Sequence, residues 1–310
     1  MRIGLPGDAS NVDKLIDYAR RSEADGFTSL WFPGSSGGDP LVAMALAGRA
    51  TEHIELGTAV LQTYPTHPVN LAWRAAAAAT AMGRPGLTLG VGPSHQPVVE
   101  DAYGLSYQHP GRHTDEYVQV LAPLLRGEDV RFDGDDFRIR MTGDRTPTPP
   151  GEIPLLVSAL APRLLRVAGT YADGTVTWMA NAKAVEDLIA PCITAAATAT
   201  GRPAPRIVVG LPVAVVDAAD TTLARQTAGR LFAAYGTLPN YQRVLAAGGV
   251  SDPADAAIVG DEAEVAAQLE ALVTAGATDV WAAPFTVGED RSGSRARTRA
   301  LLKELAPGVA

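Results

Sequence analysis

Residues 87–96, LTLGVGPSHQ, set two glycines, a proline, a serine, a histidine and a glutamine at the end of an apolar run. Such a turn can present backbone N–H groups, a hydroxyl and an imidazole to one ligand. Gly90 and Gly92 match the opening of a G-x-G-x-x-G fingerprint, but His95 stands where the third glycine belongs and Pro93 sits in the turn. That fingerprint also belongs to the first strand–turn–helix unit of its fold, whereas this turn follows several. The stretch therefore reads as a ligand cradle of another kind.

Other reactive patterns are weaker. GSSGG at 34–38 matches the G-x-S-x-G elbow with Ser36 as nucleophile. The elbow needs a late histidine, and the last one here is His113, so serine hydrolysis is disfavoured. His53, His67, His95, His109 and His113 form no H-E-x-x-H or Cys/His set, so no metal site is expected. His53 reads as solvated, His67 as a helix-entry residue and His95 as the one ligand contact. Arg112 and Glu116, one helical turn apart, read as a structural ion pair. Cys192, the single cysteine, reads as a buried thiol and precludes an intrachain disulfide.

The chain has 310 residues, 46% hydrophobic and 19% charged, enough apolar side chain for a large core. A net charge of −8 with no basic run disfavours nucleic acid or an anionic membrane as partner. No uncharged apolar run approaches the roughly 20 residues that span a bilayer, and the amino terminus lacks a signal core. A cytoplasmic protein with a small-molecule substrate is expected.

The elements that must carry the cradle alternate. RIGL, TSLWF, IELGTAV, GLTLGVG, PLLVSA, TVTWM, RIVVGLPVAVV and DVWAAPF read as strands, with helical stretches between them. EDVRFDGDDFRIR reads as a hairpin turning at DG, and residues 221–247 as a long helical region. Eight strand–helix steps fit a closed (β/α)8 barrel; an open doubly wound sheet is the alternative. In a barrel, function lies at the carboxyl edges of the strands, here FPGSSGG, TAVLQTYPTHP, GVGPSHQ, SALAPR, TWMA and APF. These edges contain almost no carboxylates or lysines and are rich in small hydroxyls, glycine and tryptophan. They suit a flat aromatic ligand. SALAPR also opens a helix whose free N–H groups, with Arg163 beside them, would meet an anion. Trp31, Phe32, Tyr64, Trp178 and Phe285 are candidates for the mouth.

SLWF, DPLVAMALAGRATEHIELGTAV, HPVNLA and GLTLGVG resemble the luciferase-like monooxygenase superfamily. TYPTHPVNLA, GVGPSHQPVVEDAYGLSY, APRLLRVAGTYADGTVTWM and GLPVAVVDAAD are similar to its branch of oxidoreductases dependent on the deazaflavin coenzyme F420, over nearly the whole chain. The resemblance implies one luciferase-like TIM barrel over residues 1–310, with an insertion after strand 4 around 92–150. It implies hydride transfer between F420 C5 and a small, apolar unsaturated substrate, with no assigned catalytic acid or base. A non-prolyl cis peptide maps to Ala59–Val60, so Thr58, Ala59 and Val60 would meet the ring. Gly92, Pro93, Ser94 and His95, with Ser158, Ala159, Leu160, Ala161, Pro162 and Arg163, would hold the polar tail and its phosphate. Thr177 and Trp178 would lie along the ring. Sugar-phosphate dehydrogenases of this branch carry an acidic residue and a histidine after the second strand. FPGSSGG has neither, which puts that role in doubt. The family habit is a homodimer. The alternatives are an FMN-dependent monooxygenase and a barrel that binds a flavin or deazaflavin without turnover.

Overall fold

A computed structural model describes residues 1–34, 38–145 and 147–307. The first half runs β1 (Arg2–Pro6), α1 (Val12–Ala24), β2 (Ser29–Phe32), α2 (Pro40–Arg49), β3 (Glu55–Thr58), β4 (Leu61–Gln62), α3 (Pro68–Met82) and β5 (Leu87–Gly92). An excursion follows: α4 (Pro110–Leu125), the antiparallel pair β6 (Val130–Asp133) and β7 (Arg138–Met141), then β8 (Leu155–Val157). The second half begins with α5 (Pro162–Tyr171), β9 (Gly174–Trp178), α6 (Ala182–Ala184), α7 (Ala190–Ala199), β10 (Arg206–Val215) and α8 (Thr221–Phe232). It ends with α9 (Pro239–Ala247), α10 (Pro253–Ala256), β11 (Ile258–Gly260), α11 (Glu262–Thr274), β12 (Asp279–Pro284) and α12 (Arg291–Leu305).

β1, β2, β3, β5, β8, β9, β10 and β12 pair in that order, all parallel, and β12 returns to β1. The sheet is therefore a closed (β/α)8 barrel, and the open alternative is excluded. Fully buried parallel strands are continuous apolar runs, as in LTLGVG, where all six residues are buried. Helix starts follow local chemistry. Asn11 accepts from Lys14 N at 3.0 Å, Asp39 from Leu41 N at 2.9 Å, and His67 Nδ1 from Val69 N at 3.3 Å.

Apolar surface is buried in three clusters, one of them around Ala214, Ala224, Val259 and Phe285. The largest lies between strands and helices; the smallest fills the barrel with Trp31, Leu156, Val176, Val208 and Trp281. The two indoles fit because Gly4, Gly57 and Gly210 leave room. A Cβ on Gly57 would stand 2.4 Å from Trp31, and one on Gly210 2.1 Å from Trp281. Below them, charged groups from four strands close the floor. Arg206 donates to Glu55 at 2.6 and 2.9 Å and to Asp279 at 2.6 and 2.9 Å, while Arg2 joins the same two carboxylates at 2.7 Å each. The guanidinium of Arg206 sits 5.6 Å from the Trp31 ring centroid.

Several expectations change. The helical region 221–247 is two helices, α8 and α9, separated by a 3₁₀ stretch at Ala233–Thr237. The hairpin turns through four residues, since Asp133 already pairs with Arg138. Arg112 pairs with Asp135 and Asp136 at 3.0 Å each, not with Glu116. The Glu116 carboxylate instead accepts from the backbone N–H groups of Asp135, Asp136 and Phe137 at 3.0, 2.8 and 3.1 Å. Turn amides lack strand partners, and a nearby carboxylate satisfies them better than it satisfies an exposed guanidinium. Cys192 is only partly buried, its thiol 3.7 Å from Pro162 O. Ser36 lies outside the described residues.

Candidate active site

At the carboxyl ends of the strands a cavity of about 430 Å³ opens. One wall is the end of β3, where the Ala59–Val60 peptide is cis. Thr58, fully buried beneath it, ties β3 to β5: its Oγ1 donates to Gly90 O at 2.7 Å and accepts from Gly90 N at 2.8 Å. The glycines of the opening motif face this bulge. A Cβ on Gly90 would stand 2.0 Å from Thr58 O, and one on Gly92 3.0 Å from Val60 Cγ2 and 2.9 Å from Ser158 Cβ. Their small size first admits the chain's own backbone at Gly90 and side chains at Gly92, a packing role that the sequence motif does not distinguish from ligand contact.

Gly92, Pro93, Ser94 and His95 form the next wall. Ser94 takes a left-handed conformation, φ 65°, and its carbonyl accepts from the Tyr107 hydroxyl at 2.8 Å. His95, half-buried, lies with its ring centroid 5.7 Å from that of Tyr241. Burial pushes its imidazole below the ordinary value, so the ring is neutral at pH 7. Ser158, Leu160 and Ala161 continue the wall to the start of α5. Ala161 caps that helix without a side-chain hydrogen bond, leaving the N–H groups of its first turn open.

Thr177 and Trp178, at the end of β9, line the opposite side. Trp178 stacks on Trp281 with centroids 4.8 Å apart and planes inclined by 24°. Its indole Nε1 is buried without a hydrogen bond among the described residues. The Tyr235 hydroxyl lies nearby: burial raises that phenol, and the Trp178 indole opposes the rise.

Of the fifteen residues expected at the site, the cavity gathers Ala59, Val60, Gly92, Pro93, Ser94, His95, Ser158, Leu160, Ala161, Thr177 and Trp178. Thr58 and Ala159 are fully buried behind it. Pro162 and Arg163 face outward, and the Arg163 guanidinium stands 3.9 Å from Asp115. Among the proposed mouth residues, only Trp178 lines the cavity. Trp31 and Phe32 are wholly buried, Phe285 packs edge-on against Phe232, and Tyr64 stacks on His113 at 4.0 Å. Sequence reasoning missed Gln62, Tyr235, Leu238, Asn240, Tyr241 and Trp281, all of which line the cavity. The paired aromatics in AAYGTLPNYQ were the available signal for the segment that supplies four of them.

A closed eight-stranded barrel with its cavity at the carboxyl ends of the strands has the architecture of (β/α)8 enzymes. More narrowly, the chain belongs to the luciferase-like monooxygenase family, whose model matches residues 2–279. It is 29% identical over 199 residues to a 5,10-methylenetetrahydromethanopterin reductase of Methanolobus tindarius, covering 64% of this chain and 59% of that one. The matched region thus spans less than two thirds of that relative. The fold is similar to an F420-dependent secondary alcohol dehydrogenase in complex with an F420–acetone adduct, with TM-score 0.76, 19% identity and coverage of 99% and 98% of the two chains. It is also similar to the oxygenating constituent of 3,6-diketocamphane monooxygenase from Pseudomonas putida in complex with FMN, with TM-score 0.72, 16% identity and coverage of 100% and 98%. Among the described residues, no group of three or more His, Cys, Asp or Glu could hold a metal ion, and no helix is long and apolar enough to cross a membrane.

Proposed function

We propose that this protein is an F420-dependent oxidoreductase that moves a hydride between the deazaflavin C5 and a small, apolar unsaturated organic molecule. The observation that carries the reading is the cavity itself. It joins an indole stack and an uncapped helix start, with no carboxylate, lysine or arginine in its lining among the described residues.

These residues fit a planar ring with an anionic tail. Ala59 and Val60 would support one face of the ring, and Thr177 and Trp178 would lie along it. Gly92, Pro93, Ser94 and His95 would hold the side chain, with the Ser94 hydroxyl and the His95 imidazole as polar contacts. Ser158, Leu160, Ala161 and the first-turn N–H groups of α5 would receive the phosphate. Thr58 and Ala159 would shape these walls from behind, and Pro162 and Arg163 would act at the rim. Bound there, the deazaflavin would supply a hydride at C5. Val98, Leu160, Leu164 and Leu238 would keep water from the reacting atoms. With no carboxylate to move a proton, position and orientation would supply most of the rate.

The reductase relative and the F420-bound structural neighbour support this choice of cofactor. The FMN-bound neighbour supports the second reading, a monooxygenase fed reduced flavin. Titration calorimetry with F420 and, separately, FMN decides between them. Micromolar or tighter F420 binding with none for FMN is expected, and the reverse would move the protein to the flavin monooxygenases. A homodimer, the habit of the family, is the assembly we propose.

A further inference from the structure

A second cavity of about 350 Å³ lies beside the first, and the two share Gly34 and Gln62 in their linings. Its lining comes from the start of α2, from β4 and from α3, and includes Asp39, Pro40, Leu61, Leu71, Arg74 and Tyr103. We propose that this cavity receives the acceptor substrate. In it, Gln62 positions a small uncharged ketone or enone by donating from its side-chain amide to the carbonyl oxygen. The inference rests on the reading of the first cavity as the cofactor's.

Three observations converge on Gln62. Hydride transfer needs two reactants in contact, and Gln62 stands where the two cavities meet. Its side chain is nearly buried, at 9% exposure, and the Tyr103 hydroxyl donates to its Oε1 at 2.6 Å. That bond fixes the amide plane and turns Nε2, a donor with two N–H groups, away from Tyr103. Nε2 has no hydrogen-bond partner among the described residues, yet it is not sealed from solvent. A donor oriented in this way, and left unspent by the described residues, calls for an acceptor on the ligand.

The charges of the second cavity set the ligand class. Among the described residues, the one cation in its lining, Arg74, is paired with Asp39, and Asp39 also caps α2 through Leu41 N. An anion would have to compete with the Asp39 carboxylate for Arg74. A neutral molecule with a carbonyl oxygen and an apolar body meets no such competition, and Pro40, Leu61, Pro65 and Leu71 offer it apolar walls.

The test follows the side-chain amide signals of the ¹⁵N-labelled full chain by nuclear magnetic resonance, with Gln62 assigned by its loss in Gln62→Leu. The probe is 2-cyclohexen-1-one, and cyclohexene is the control without a carbonyl. Both are titrated with and without F420, whose own binding is measured by calorimetry. Saturable displacement of the Gln62 amide by the enone alone is expected. So are at least tenfold weaker enone binding in Gln62→Leu and a smaller loss in Tyr103→Phe. No saturable displacement, equal displacement by cyclohexene, or undiminished enone binding in folded Gln62→Leu would overturn the proposal. If Gln62→Leu does not fold, the enone–cyclohexene comparison and Tyr103→Phe decide. Failure to bind F420 would sink the cofactor reading instead, leaving the enone titration to be judged on its own result.

Discussion

Thr58 and Gly90 are stitched together twice, the threonine hydroxyl donating to Gly90 O at 2.7 Å and accepting from Gly90 N at 2.8 Å. Gly90 cannot gain a side chain without breaking this pair, because its Cβ would stand 2.0 Å from Thr58 O. Backbone on both sides leaves nothing flexible to yield. Gly90→Ala should therefore destabilise the fold by about 3 kcal/mol, the upper part of the overpacking range. Thr58→Val should cost about 1–3 kcal/mol, since Gly90 N loses its buried acceptor. Urea unfolding of both variants checks the order.

Ser94 and His95 are the polar groups of the turn that closes the cavity. The double variant Ser94→Ala, His95→Ala should weaken F420 binding roughly tenfold or more, at about 1 kcal/mol for each lost hydrogen bond. Its far-ultraviolet circular dichroism should match the parent, because the Tyr107 bond goes to the Ser94 carbonyl and survives. Unchanged affinity by calorimetry would remove both residues from the tail site.

Arg206 holds two nearly buried carboxylates, Glu55 and Asp279. Arg206→Met leaves them facing each other with only the half-exposed Arg2 between, and should cost about 3–5 kcal/mol. The same network predicts acid sensitivity. Burial opposes ionisation of Asp279, but hydrogen bonds and charge from Arg206 and Arg2 outweigh it and hold its carboxyl below the usual range. A depressed carboxylate adds stability that is present above its unfolded value of about 3.9 and lost as pH falls through the folded one. The melting temperature should drop below about pH 4 in the parent and less steeply in Arg206→Met.

Glu116 caps three backbone N–H groups of the β6–β7 turn. Glu116→Ala should cost about 3 kcal/mol, at the upper end for hydrogen bonds to a charged group. Hydrogen exchange at residues 135–137 should quicken by more than tenfold, while the barrel strands keep their protection.

The barrel was legible because parallel strands covered on both faces are plain apolar runs, and because Pro40, Pro68 and Pro162 open helices in characteristic first-turn positions. Height within the barrel was not. Trp31 stands one residue from the end of β2 and Trp178 ends β9, yet the first fills the interior above Arg206 and the second lines the cavity. The floor was invisible for another reason: Arg2, Glu55, Arg206 and Asp279 meet only when the barrel closes. Residues 221–247 read as one long helical region, and the break inside it falls at Gly236 and Pro239, common loop residues. That break turns Tyr235 and Tyr241 into the cavity.

The main cavity has one further property, which belongs to its walls as a set. Among the described residues, the titratable groups lining it are His95, Tyr235 and Tyr241. Burial moves the imidazole down and both phenols up, so their ionisations draw apart. Between roughly pH 7 and pH 10, bracketed by the ordinary imidazole and phenol values, the walls keep one constant charge of zero. A break in a binding or rate profile within that interval therefore does not come from these three wall groups, and its source lies in the bound molecules or elsewhere in the chain.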